Sequence, residues 1–253
     1  MRDLLGTLEG SLGDRDASVA AMAAWAIGEI DDKSAIPALV KAMQRAEPRV
    51  RLAAIWSIGQ IDDKHAAAEV IPALRDADAV TRAMAAEVLG KLEYTGSIAP
   101  LERVLAGDRD ARVREAAASS LGELSAASSA SALGHALADR DIAVRRAAAA
   151  ALGELDDLHT APPGLVTALQ SSDGELREHA ASALAEIADP ATASALVGLL
   201  SDTNRDIRKH AVEALGEIGS PVAVSGLTRA LQDRDAEVRR AAVEALGESK
   251  ERN

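Results

Sequence analysis

Apolar positions return along this chain at helical spacing, each time behind a polar turn. The stretch DRDAEVRRAAVEALGE (233–248) shows the plan: an Asp-rich turn, then Val238, Ala242 and Leu246 on one side of a helix. DRDARVREAAASSLGE (108–123) and DRDIAVRRAAAAALGE (139–154) restate it. The glycine position of this phrase falls at Gly28, Gly59, Gly90, Gly122, Gly153, Ala185, Gly216 and Gly247, in steps of 31 or 32 residues. Eight copies at a fixed period predict a repeat array, because no single copy can bury its apolar stripe alone.

A looser phrase separates the copies, clearest in SAIPALVKAM (34–43) and echoed in VAVSGLTRAL (222–231). Each repeat therefore reads as two helices. Helix A sets Ile36, Leu39 and Met43 on one face, as Leu5, Leu8 and Leu12 do in repeat 1. Pro37, Pro162 and Pro221 fall near its start, where a missing N–H is harmless. Helix B follows the Asp-rich turn, whose carboxylates can cap its free N–H groups, and ends near an IDDK or IGS turn. Together, VRRAAVEALGE, AIPALVKAM and the period resemble HEAT repeats of the short, phycobilisome-lyase-like type, over essentially the whole chain. The resemblance implies an all-α fold: an α-solenoid of about eight two-helix repeats in a single domain, 1–253, with the B helices on its concave side. Such arrays mostly serve as protein-binding scaffolds. A minority attach bilins to phycobiliproteins, and a distant relative is a di-iron hydroxylase.

Counting along helix B from the glycine at about 100° per residue sorts its faces. Residues nine, five and one before it and two after it share one side, the core stripe, which takes in Val19, Val50, Val113, Val144 and Val238. Arginine recurs eight before, at Arg51, Arg82, Arg114, Arg145, Arg177, Arg208 and Arg239. Aspartate recurs six residues earlier still, at Asp14, Asp76, Asp108, Asp139, Asp202 and Asp233. The resemblance implies that these pairs form a ladder between repeats. Arg45 and Ser171 interrupt the Asp column, which predicts weaker joints after repeats 2 and 6. The glycine itself costs about 1 kcal/mol in a helix interior, so its recurrence predicts close helix approach.

The chain has no Phe, one Tyr and two Trp. Both Trp stand three before the glycine, in AAWAIGEIDDK (23–33) and AAIWSIGQIDDK (53–64). That position points away from the core stripe, so Trp25 and Trp56 should project from the B-helix face. Ala21, Met22, Leu52, Ile55 and Met84 make the same surface apolar. Later repeats carry polar or small residues at the Trp position: Glu87, Ser119, Ala150, Ser182, Glu213 and Glu244. The expected partner-binding residues are Met22, Trp25, Leu52, Trp56, Met84 and Glu87, since exposed apolar patches and Trp mark contact surfaces. The competing reading is that the Trp pair fills a gap between helices or seats another segment.

Formal net charge is −12, which disfavours nucleic acid and anionic membrane as partners. The start, MRDLLGTLEGSL, does not read as a signal peptide, and no run of about 18 apolar residues exists; a cytoplasmic location is expected. An acidic row one past the glycine (Glu29, Gln60, Lys91, Glu123, Glu154, Glu186, Glu217, Glu248) reads as a solvated face, or as a groove that orients a basic partner. There is no Cys, phosphate loop, nucleophile elbow or zinc motif. His179 and His210 share one position in adjacent repeats and read as packing before metal. The hydroxylase relative uses His-Glu dipeptides, and this chain has none. A bilin would want Trp25, Trp56 and a cation such as Arg51. The reading is a monomeric, non-enzymatic scaffold for a protein or peptide, without cofactor. A phycobilin lyase-like subunit and an engineered repeat binder stay open. The polar end GESKERN, with Ser249 in place of Ile or Leu, reads as a terminal cap.

Overall fold

The computed structural model describes residues 2–251, which hold sixteen α-helices and no β-strand. The chain forms two compact parts, Met1–Leu124 and Ser125–Asn253. In the first, the A helices are α1 (Arg2–Ser11), α3 (Ile36–Ala42), α5 (Ala67–Val70) and α7 (Ile98–Gly107). Its B helices are α2 (Ala17–Ile30), α4 (Pro48–Ile61), α6 (Ala79–Lys91) and α8 (Ala111–Glu123). In the second, the A helices are α9 (Ala130–Ala136), α11 (Pro163–Ala168), α13 (Ala193–Leu199) and α15 (Pro221–Ala230). Its B helices are α10 (Ile142–Gly153), α12 (Gly174–Ile187), α14 (Arg205–Ile218) and α16 (Ala236–Glu251). Within each part every B helix packs on the next B helix and on the A helix of its own repeat. This is the all-α solenoid that the resemblance to HEAT repeats implies. No helix among the described residues is long and apolar enough to cross a membrane. The Ser249 side chain and the residues after 251 lie outside what is described.

Turn chemistry explains the boundaries. In the two IDDK turns the first aspartate, Asp31 or Asp62, closes helix B in the left-handed region, at φ 56° and φ 50°. The second, Asp32 or Asp63, caps the next short helical turn by accepting from Ser34 N or His65 N. In the IGS turn Gly219 takes the left-handed position and Ser220 caps α15. Asp16, Asp78, Asp110, Asp141, Asp173 and Asn204 cap the B helices that follow them.

The recurring glycine is the point where consecutive B helices meet. A Cβ on Gly28 would lie 3.0 Å from Ser57 Cα, and one on Gly216 would lie 2.8 Å from Ala245 Cβ. The residue met stands two before the next glycine position, as Val88 also does opposite Gly59. Where Ala185 replaces glycine, the residue at that position is Ala214.

The arginine ladder exists, and it has a direction. Arg51 Nε and Nη2 donate to Asp76 at 2.6 and 2.7 Å, and Arg82 grips Asp108 in the same two-pronged way. In the second part Arg208 repeats the fork on Asp233, and Arg177 Nε reaches Asp202 at 3.0 Å. Each of these arginines thus holds the aspartate of the following repeat. Its Nη1 meanwhile donates to the main-chain oxygen at the Asp position of its own repeat, as Arg82 does to Asp76. The joints after repeats 2 and 6, expected to be weak, therefore carry the intact pairs Arg51–Asp76 and Arg177–Asp202. The interruptions fall one joint earlier, and both are compensated. Between repeats 1 and 2, Arg45 Nη1 reaches back to the Leu12 and Asp14 oxygens. Between repeats 5 and 6, Arg146 takes over and pairs with Asp173 and Glu175.

One core expectation fails in repeat 1. Val50, Val113, Val144 and Val238 are fully buried, but Val19 is 44% exposed. In repeats 2–4 and 6–8 a preceding B helix packs against helix B, and α2 has no such neighbour among the described residues.

Candidate protein-binding face

Trp25 on α2 and Trp56 on α4 occupy one register position on adjacent helices. Their rings stack, with centroids 6.1 Å apart and planes within 13°. The close passage of Gly28 past Ser57, one turn further along, brings the two helices near enough for this. Ser57 tightens the joint: its hydroxyl is within 2.7 Å of both the Ala24 and Ala53 carbonyl oxygens. Trp25 remains 47% exposed, whereas Trp56 is half-buried.

The other expected residues divide by their angle around helix B. Met22 is 65% exposed, Leu52 and Met84 are half-buried, and Glu87 is exposed. Ala21 and Ile55, counted with this surface from the sequence, are buried. Ile55 stands four before the glycine, on the flank that faces the next B helix, so α6 covers it. Val80, absent from the expected set, is 45% exposed and lies four residues before Met84 on the same face of α6. Its signal was available: it is an apolar residue two turns before Glu87, in the column where repeats 1 and 2 have Ser18 and Arg49.

The electrostatics of this face centre on Glu87. The protein packed around its carboxyl raises its pKa, and the Glu115 carboxylate raises it further. Glu87 makes no ion pair among the described residues, although Lys91 follows it by one helical turn. Arg51 does not join the Trp pair. It is held by Asp76 and by the Arg45 and Ala46 main-chain oxygens. The Asp76 hydrogen bonds keep its pKa above the ordinary arginine value.

In the second part the same helix face is charged. Glu186, Glu213, Glu217, Glu244 and Glu248 line an open groove of about 730 Å³ with Lys209 and Arg240. Lys209 lies 3.4 Å from Glu213 on the same helix, both half exposed, a pair that water screens. His179 and His210 occupy matching positions on α12 and α14, and His210 Nδ1 is buried without a hydrogen-bond partner. Among the described residues, no three His, Asp or Glu side chains converge as a metal site would require.

Comparison with known proteins follows the same geometry. A model of HEAT repeats matches residues 5–78, 67–153 and 162–247, most of the chain. The chain belongs to the HEAT repeat family. A model of the PBS lyase HEAT-like repeat also matches residues 144–171. No curated protein matches the chain by sequence. Among solved structures, the Escherichia coli protein YibA is 21% identical with a TM-score of 0.67, over 97% of this chain and 94% of that one. An engineered protein is 23% identical with a TM-score of 0.65, over 98% and 79%. The CpcE–CpcF complex of phycocyanin lyase from a Nostoc species is 21% identical with a TM-score of 0.55, over 96% and 93%. At these identities the likeness is one of fold.

Proposed function

We propose that this HEAT repeat protein is a scaffold that binds another protein or peptide on the B-helix face of repeats 1 to 3. The observation that carries the reading is the stacked, partly exposed Trp25–Trp56 pair. A chain with only two Trp sets them side by side on a face bordered by Met22, Leu52, Met84 and Val80, with Glu87 at its edge. Large aromatic side chains in such settings carry most of the energy of protein interfaces. Methionine adapts to irregular partner surfaces. Stacked repeats hold these side chains in place before the partner arrives, so less ordering entropy is lost on binding. No catalytic constellation enters this reading.

The test is affinity capture from an extract of the source cells, comparing the wild type with the Trp25→Ala/Trp56→Ala variant after circular dichroism shows equal helicity. A protein retained by the wild type and lost by the variant supports the reading. A partner kept equally by both removes it, and makes the Trp pair a packing feature.

A further inference from the structure

The partner side chain that the Trp face is built to receive can be specified, on the footing of the reading above. Trp25, Trp56 and Glu87 stand at one register position on α2, α4 and α6, which follow one another in the stack. Trp56 gives one ring face to Trp25. On α6, the next helix in the stack, the residue at the matching position is the carboxylate Glu87.

Neighbouring packed helices run about 8–10 Å apart. A guanidinium lying flat on an indole of one helix can extend its N–H edge, in its own plane, to a carboxylate at the matching position of the next. Among the described residues, no arginine or lysine of the chain lies over either indole. Burial and the neighbouring Glu115 carboxylate on α8 both raise the Glu87 pKa, so its charged form is disfavoured until a cation meets it. The site therefore has a π face, an unpaired carboxylate beside it, and an apolar surround.

We propose that the slot between Trp56 and Glu87 binds an arginine side chain of the partner, its guanidinium stacked on the indole and forked onto the carboxylate. Guanidinium fits better than ammonium because it is planar, weakly hydrated and able to give two parallel N–H bonds to one carboxylate. Indole is the strongest of the aromatic cation acceptors. The occupant is thus a partner segment with an arginine set among apolar residues that cover Met22, Leu52 and Met84.

The experiment titrates the purified protein with N-acetyl-arginine amide and with N-acetyl-citrulline amide, its uncharged near-isostere. Binding is followed by the two indole N–H signals in NMR. Saturable binding of the arginine compound, at least tenfold tighter than citrulline and at least tenfold weaker in Glu87→Gln, supports the proposal. Glu87 is exposed, so that variant keeps the fold. Trp56→Phe, which keeps a ring of weaker cation affinity, should give an intermediate loss. Equal binding of arginine and citrulline, or no effect of Glu87→Gln, overturns it. The result separates from the scaffold reading: if capture succeeds while arginine amide fails, only the arginine assignment falls. If arginine amide binds and capture fails, the cation slot stands and the scaffold reading falls.

Discussion

Arg45 donates from one nitrogen to the main-chain oxygens of both Leu12 and Asp14, each at 2.8 Å, from a position where six other repeats carry aspartate. Repeat 1 has Ala20 where the others have their ladder arginine. The turn oxygen that such an arginine would satisfy is satisfied from the next repeat instead. Arg45→Ala should leave both carbonyls without their donor and cost about 1–2 kcal/mol. Ala20→Arg combined with Arg45→Asp should rebuild the ordinary joint and recover most of the loss. Urea denaturation of the two singles and the double, analysed as a cycle, measures the coupling.

Acid should loosen the joint between repeats 5 and 6. Hydrogen bonds from Arg146, then from Leu176 N–H, lower the Asp173 pKa to about 2. Its unfolded value is about 3.9. A carboxyl with a depressed folded pKa adds stability above the unfolded pKa and loses it as pH falls through the folded one. The contribution should be whole above about pH 4 and vanish toward pH 2. Asp173→Asn should then be less stable than wild type at neutral pH, with the gap closing between pH 4 and 2. Denaturant curves at stepped pH read this directly. Asp76, Asp108 and Asp233 act in the same sense: burial pushes each up, but the arginine fork and a turn N–H outweigh it and hold the pKa low.

Two glycine substitutions should act with opposite sign. A methyl on Gly28 meets the Ser57 backbone at 3.0 Å. Forcing those helices apart costs about 1–3 kcal/mol, more than the roughly 1 kcal/mol that alanine gains in a helix. Gly28→Ala should therefore destabilise and weaken the near-UV circular dichroism of the Trp pair. At Gly247 nothing lies within 4 Å of the place a methyl would take, so Gly247→Ala should stabilise by up to about 1 kcal/mol.

Ala188 closes α12 at φ 49°, where the equivalent residue of repeat 7 is Gly219. An L-residue with a Cβ is strained in this region by about 1–2 kcal/mol, and glycine gives part of that back as chain entropy. Ala188→Gly should raise stability by about 0.5–1 kcal/mol, read as a higher urea midpoint with unchanged slope.

Much of this fold was legible because it rests on registers that survive substitution. The Trp25–Trp56 stack follows from two residues at one offset in adjacent repeats. The partnership of Arg51 with an aspartate follows from two columns of opposite charge. What spacing does not encode is direction. Asp76 is six residues from Arg82 in sequence, yet its side chain pairs with Arg51 of the preceding repeat, because six residues across the turn into helix B bring Arg82 to the main chain instead. Flank positions were the other gap. Ile55 lies about midway between core and solvent on helix B, so only the neighbouring helix decides its burial. Val80 was missed because a single valine in a polar column carries no period.

The one-way ladder bears on how such a chain can change length. A copy of repeat 3 inserted beside itself would set Arg82 of one copy against Asp76 of the next, the same pair that Arg51 and Asp76 already make. Repeat 7, with Asp202 and Arg208, is equally self-matching. A copied repeat 2 would bring Arg51 against Arg45, a guanidinium where the aspartate should stand, with only the Glu47 that Arg45 already holds beside it. Tandem duplication is thus open at some repeats and closed at others, and Arg45 fixes which neighbour repeat 2 must follow.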